Sequence, residues 1–447
     1  MVRRSMAKSV PILILFGLVL RCTGSVPDPE TRFSPTELRA DLQELRQQIL
    51  EHHPLTFADR REVRDIFDRQ ASLLTDSLTS LEFFRIAAPA VAAAKCWHTR
   101  LMLPDAVFAH WEENGHYLPF DLRVIRDSLF VRSVFMEDHR IAPGDVVSSI
   151  NGKPATEIVH ILRSCLPSDG GNTAAKDWLL NDAFSSYYRT YIGSPAEIAI
   201  GYASTEHGDS GTVDVPAISR SALRRRTELS DEKPKGGLIE TSFDADEGFA
   251  ILRIRFFEYY DDFDFFADPI DSFFTELAGM PGTSLILDLR GNDGGDAYSA
   301  AYLLGYLLRE PFRYFAPGST HLLGDLKGPQ PIHDNRFGGD LFVLVDGGCC
   351  STTGHLLAIL KSRGVGKYIG TPTGGGYACN GGFRGITLKH TKLQLLLPHA
   401  VFIADAEDLL RGYQIAPDYT VESSILDLLA GTDPALDSAK SLIARMQ

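Results

Sequence analysis

No Lys/Arg-rich run occurs anywhere in these 447 residues, and the formal net charge is −14. A nucleic-acid partner, which needs a basic face to neutralise phosphates, is therefore not expected. The acidity serves solubility and says little about fold. No C-x-x-C spacing links the six cysteines Cys22, Cys96, Cys165, Cys349, Cys350 and Cys379. A zinc site is improbable on that count, and no other pattern calls for a metal or cofactor. Beyond the N-terminus, no stretch is long and apolar enough to span a membrane. Internal repeats and low-complexity tracts are missing too, which leaves an ordinary globular chain of two or three domains.

What is present begins with a targeting pattern. Arg3, Arg4 and Lys8 precede the apolar run Val10 to Leu20, and Cys22-Thr23-Gly24-Ser25 follows. A short apolar run with basic residues before it and small residues after it reads as a secretory signal over residues 1–25. The expectation is an exported protein, periplasmic or extracellular. Cys22 also offers a lipid anchor, the one membrane contact expected, although Arg21 stands where lipoprotein signals usually carry a small residue. Export permits disulfides, but the spacing assigns none. Adjacent Cys349 and Cys350 read as packed thiols.

Residues 34–112 read as a helical region. Ser34-Pro35-Thr36-Glu37 and Thr79-Ser80-Leu81-Glu82 are capping boxes, the first with Pro at the first helical position. Leu38, Leu42, Leu45 and Ile49 share one face, Val63, Ile66 and Phe67 mark a second helix, and a third runs to Lys95. Residues 113–225 change character. Asp121 to Phe135 alternates like a hairpin around Arg126-Asp127-Ser128, and residues 142–153 carry a Gly-Asp turn, an apolar strand and an Asn-Gly turn. Residues 204–240 read as a polar linker. Residues 240–430 look α/β: strands at 249–254, 284–289 and 341–345 alternate with helices at 297–308 and 353–361. Residues 317–340 form a long loop, and 431–447 a final helix.

Two strings carry chemistry. In Leu341-Phe342-Val343-Leu344-Val345-Asp346-Gly347-Gly348-Cys349-Cys350-Ser351, a buried strand runs into a Gly pair and presents Ser351 just before a helix. Helix N-termini carry unpaired N–H groups and partial positive charge, so a hydroxyl there has oxyanion donors beside it. The same string also suits a plain helix cap. The second string, Asp288-Leu289-Arg290-Gly291-Asn292-Asp293-Gly294-Gly295-Asp296, ends a strand in a glycine-rich loop able to point N–H groups at a ligand.

Together these strings resemble the tail-specific (carboxy-terminal-processing) serine proteases. Asp-Leu-Arg-Gly-Asn-x-Gly-Gly looks like that family's loop ahead of the active site, and residues 341–354 like its nucleophile segment. Gly370-Thr371-Pro372-Thr373-Gly374-Gly375-Gly376 and Arg411-Gly412-Tyr413-Gln414-Ile415-Ala416-Pro417-Asp418 are similar to its two later strings, in the same order. Residues 142–153 resemble a PDZ module, which binds peptide C-termini as an added strand. The resemblance implies an α/β catalytic domain with a ClpP/crotonase-like core, an N-terminal helical segment and a PDZ-like β-rich domain. Its substrate would be a peptide or unfolded protein.

The resemblance also implies Ser351 as nucleophile, with oxyanion donors from Gly294, Gly295 and Thr352. Gly376 occupies the position where many relatives carry the lysine base, and no lysine follows before Lys389. Cys96-Trp97-His98-Thr99 is similar to the base-bearing string of the tricorn-like Ser–His branch, which implies His98 as general base; imidazole titrates in the right range. His355 is read as packing or rim. That branch orients its histidine with a glutamate, and Arg411 stands in its place; Asp405, Glu407 and Asp408 are the nearby candidates. Two other readings stand beside hydrolysis by Ser351 and His98: an inactive peptide-binding protein of the same fold, and a thiol hydrolase using Cys350 or Cys349.

Overall fold

A computed structural model describes residues 28–136, 140–205, 208–230, 238–257, 259, 262–406 and 414–446. The signal segment 1–25 with Cys22, and the candidate acids Glu407 and Asp408, lie outside the described residues.

The N-terminal helices form where the capping boxes announce them. Pro35–His52 starts at Ser34, and Ser80–Ala92 starts at Thr79; in each, Glu at the third position closes the box. Arg60–Ser72 lies between them. The third helix stops at Ala92 instead of Lys95, which sits in a left-handed turn at φ 48°. Leu38, Leu42, Leu45 and Ile49 are buried against Val63, Phe67 and Phe83.

A six-stranded antiparallel sheet follows, in the order 210–216, 197–203, 146–150, 128–134, 120–125, with 153–154 beside 146–150. Its tight turns are the ones the sequence announced. Arg126 and Asp127 have φ of 49° and 66°, and Asn151 and Gly152 of 52° and 74°, as two-residue hairpin turns require. Helices Ala155–Cys165 and Thr173–Tyr191 cover this sheet through Ile158, Leu162, Leu180 and Phe184. The linker expected over 204–240 is largely structured: Ser210–Pro216 is an edge strand and Arg220–Ser230 a helix. The strand hides in a polar stretch because only Val213 and Val215 turn inward.

The second large sheet runs 239–244, 249–254, 284–288, 341–345, 367–370, 419–420, parallel after its first pair. Strands 284–288 and 341–345 are wholly buried, so they read as unbroken apolar runs. Helices Phe263–Ala278, Ala297–Leu307 and Ser351–Ser362 cover one face, where Leu285, Leu287, Val343 and Val345 point. Pro434–Ala444 covers the other, against Ile286, Phe342 and Leu344. Both glycine-rich loops leave the carboxyl ends of adjacent parallel strands, where open α/β sheets place their ligands.

A third, three-stranded sheet joins the helical layer to this core. Residues 378–387 pair with 394–403, and Gln394, Leu395 and Leu396 pair with Met102, Leu101 and Arg100. The ribbon's turn is held by Asp41. This residue is 1% exposed and accepts from His390 N (3.1 Å), Thr391 N (2.8 Å) and Thr391 Oγ1 (2.7 Å). Asp41→Ala would strand these buried donors at a cost of about 3 kcal/mol. Urea unfolding is expected to show a lower midpoint with an unchanged m value.

Candidate active site

Strand Leu341–Val345 ends at Asp346, whose carboxylate accepts from Gly348 N (2.9 Å) in its own turn and from Gly291 N (2.8 Å) in the neighbouring loop. One side chain thus ties the two glycine-rich loops together. Cys350 caps the next helix in extended conformation, and Ser351, its first residue, has φ 51°. A left-handed backbone at a non-glycine residue is uncommon and costs energy, and such strain gathers at functional sites. It differs from an ordinary cap, which would be extended and bonded to the helix N–H groups.

Asn292, fully buried, organises what faces Ser351. Its side-chain oxygen accepts from Gly294 N (3.1 Å) and Thr353 Oγ1 (2.7 Å), its amide donates to Ile254 O (2.9 Å), and its carbonyl accepts from Cys350 N (3.3 Å). Gly294, at φ 115°, passes so close that a Cβ would stand 2.7 Å from the Ser351 Cβ and 3.0 Å from Thr352 N. Only glycine fits there. Of the three expected oxyanion donors, the Gly294 N–H is therefore committed to Asn292. The Gly295 and Thr352 N–H groups have no acceptor among the described residues, and Thr352 Oγ1 holds the Gly295 carbonyl at 2.7 Å. Asn292 was not singled out in the sequence; its signal is an Asn in the loop two residues before the Gly pair.

His98 sits in a turn closed by Thr99 N donating to Cys96 O (3.2 Å), just before the strand Arg100–Met102. Pairing of that strand to the ribbon carries His98 toward the core. Its ring lies 5.6 Å from that of Phe383, while the Ser351 hydroxyl faces the Cys379 thiol. Cys379 and Phe383 both belong to strand 378–387, so nucleophile and base candidates approach the same strand of one ribbon. They make no hydrogen bond to each other among the described residues. Burial, with Arg100 and His355 nearby, pushes His98 down to about 3. Its Nδ1 is buried and unpartnered.

The remaining candidates are placed as follows. Asp405 pairs with Arg363 (3.2 Å), at the far end of the Ser351–Ser362 helix. His355 is 2% exposed, edge-on to Tyr314 and Phe315, and burial holds it near 4; it is packing, not rim. Cys349 and Cys350 are fully buried, donate to Leu289 O and Gly347 O, and are raised well above the usual thiol value chiefly by burial. Neither supplies a thiolate. All five described cysteines are free, and no cluster of potential metal ligands occurs among the described residues.

Residues 249–421 match the model of peptidase family S41. The matched stretch holds the parallel strands from 249–254 onward, both glycine-rich loops and Ser351, and the match supports a peptidase. Solved structures agree in fold. Mature CPAF is 14% identical, with 92% of this chain and 97% of that one covered at a TM-score of 0.65. CPAF complexed with lactacystin is 15% identical, with 92% and 99% covered at 0.65. A CPAF mutant is 14% identical, with 92% and 98% covered at 0.67. No curated protein matches the chain.

Two outcomes follow from this geometry. Gly294→Ala should cut peptide hydrolysis by about 100-fold or more, because the added Cβ would push Ser351 and the Thr352 N–H away from the Gly295 loop, while circular dichroism stays native. Iodoacetamide at neutral pH should leave Cys349 and Cys350 unmodified in the folded protein and label them after denaturation, as peptide mass mapping would show.

Proposed function

We propose that the protein hydrolyses peptide bonds by acyl-enzyme chemistry, with Ser351 as nucleophile and His98 as general base. The observation that carries this is the left-handed serine at a helix N-terminus, facing a glycine loop with free N–H groups. His98, neutral at working pH because of burial, takes the Ser351 proton as Oγ attacks the scissile carbonyl. The developing oxyanion is met by the N–H groups of Gly295 and Thr352, with Gly294 shaping the loop. The imidazolium then gives its proton to the leaving amine, and water, activated by the same histidine, releases the acyl group. The Ser–His assignment rests on Gly376 in the lysine position and on the ribbon that His98 and Ser351 share.

The sheet spanning 120–216 is read as the PDZ-like module, and its exposed edge strand 210–216 suits capture of a peptide C-terminus as an added strand. The division into residues 34–112, 113–225 and 240–430 belongs to the same proposal. So does export directed by residues 1–25, with Cys22 as a lipid attachment point.

The unpartnered Nδ1 of His98 favours one other reading, a peptide-binding protein that does not cut. Comparison of Ser351→Ala and His98→Ala with wild type on an unfolded protein substrate separates the two. The proposal expects a loss of at least about 10³-fold in kcat for each, at unchanged folding. Wild-type rates in both variants would remove it, and a wild-type protein without turnover but with peptide affinity would favour the binder.

A further inference from the structure

Among the described candidates the site lacks an acid behind its histidine: Asp405 is engaged with Arg363. A different carboxylate is already in place. Asp169 is 0% exposed. Its Oδ1 accepts from the backbone N–H of Trp97 (2.9 Å), the residue immediately before His98. Its Oδ2 is buried without a partner, as is Nδ1 of His98. An acceptor lacking a donor and a ring nitrogen lacking a partner thus lie on either side of Trp97.

The segment bearing Asp169 is built as a bracket between the two halves of the site. On one side, Gly170 N donates to Lys95 O (3.0 Å), doubling the hold on the loop that carries the histidine. On the other, Asn172 donates to Thr373 O (2.8 Å) while capping the helix Thr173–Tyr191. Thr373 in turn holds Gly375 O and Ile415 N. Cys350, Cys379 and Cys96 all feel the Asp169 charge, so the carboxylate is within electrostatic range of both the Ser351 turn and the His98 loop.

We propose that Asp169 is the positioning carboxylate of this site, its Oδ2 accepting the Nδ1–H of His98; the assignment rests on the Ser351–His98 reading above. The same carboxylate already binds the loop backbone at Trp97, which keeps it next to the residue that carries the imidazole. That bond fixes the tautomer with Nε2 free toward Ser351 and stabilises the imidazolium formed during attack. Burial explains why the pair is needed. It raises Asp169 to about 7, against the lowering effects of the Trp97 N–H and Arg100, and depresses His98. Each group is costly to charge alone, and a charge on one relieves that of the other.

Asp169→Asn tests the assignment, because the amide oxygen still accepts from Trp97 N–H and the amide nitrogen cannot accept from Nδ1–H. A fall in kcat of about 10³–10⁴-fold is expected, the scale for an acid that only orients its histidine, with KM within about 2-fold and an unchanged Tm. The acidic limb of kcat/KM should move to lower pH, since His98 would keep Arg100 and His355 as neighbours and lose its carboxylate. A merely structural Asp169 would lower Tm and leave the limb in place. Wild-type kcat in Asp169→Asn, with Ser351→Ala and His98→Ala inactive, overturns the assignment and leaves the Ser–His reading standing. Wild-type activity in Ser351→Ala and His98→Ala removes that reading instead. If Asp169→Asn does not fold, a crystal structure of the wild-type protein decides: Asp169 Oδ2 in hydrogen-bond distance of His98 Nδ1 supports the assignment, and another acceptor on that nitrogen refutes it.

Discussion

Everything at the candidate nucleophile depends on Asn292, whose buried side chain is bonded through both its oxygen and its amide. Its oxygen takes the Gly294 N–H and the Thr353 hydroxyl, its amide takes Ile254 O, and its carbonyl takes Cys350 N. Three strands and a helix are thereby referenced to one buried residue. The left-handed Ser351 is a strained conformation that persists only where its surroundings over-determine it, and Asn292 with Asp346 supplies that constraint. The same bonds consume the Gly294 N–H and leave that of Gly295 without an acceptor among the described residues. Rigid placement before the reaction is what gives such donors their effect.

The base side is built on a different principle. His98 is carried by a loop, and its position follows from strand pairing of Arg100–Met102 with the ribbon and from the bonds Thr99 and Trp97 make to His53 and Asp169. Leu55 N donates to His53 Nδ1 (2.8 Å), so His53 Nε2 carries the proton given to Thr99 Oγ1 (2.9 Å). The loop is thus held from the helical layer on one side and from the residue 165–172 segment on the other. The Ser351 and His98 segments lie far apart in the chain, and both approach the three-stranded sheet.

Much of this was legible in the sequence where a local rule had one outcome. The capping boxes at Ser34 and Thr79 and the turns at Arg126-Asp127 and Asn151-Gly152 formed as read, because their signals are short-range. Strands 249–254 and 341–345 were legible as uninterrupted apolar runs, which strands buried on both faces produce. Thr173–Tyr191 was missed because that helix reads as a broken pattern: Ala183 departs from helical geometry at φ −147°, ψ 47°. The polar edge strand 210–216 reads as linker because one partner and two inward valines leave little trace in the sequence. The roles of Asn292 and Asp169 depend on contacts across long sequence separations, Asp169 lying 72 residues from Trp97, and no spacing rule announces these.

The central claim is that Ser351 is an activated nucleophile. Its most direct test is mass spectrometry of the folded wild-type protein after treatment with a fluorophosphonate. A single phosphonyl adduct mapped to Ser351, absent once the protein is denatured before treatment, is the predicted result. No adduct on the folded protein, or an adduct on another residue with Ser351 unmodified, would contradict it.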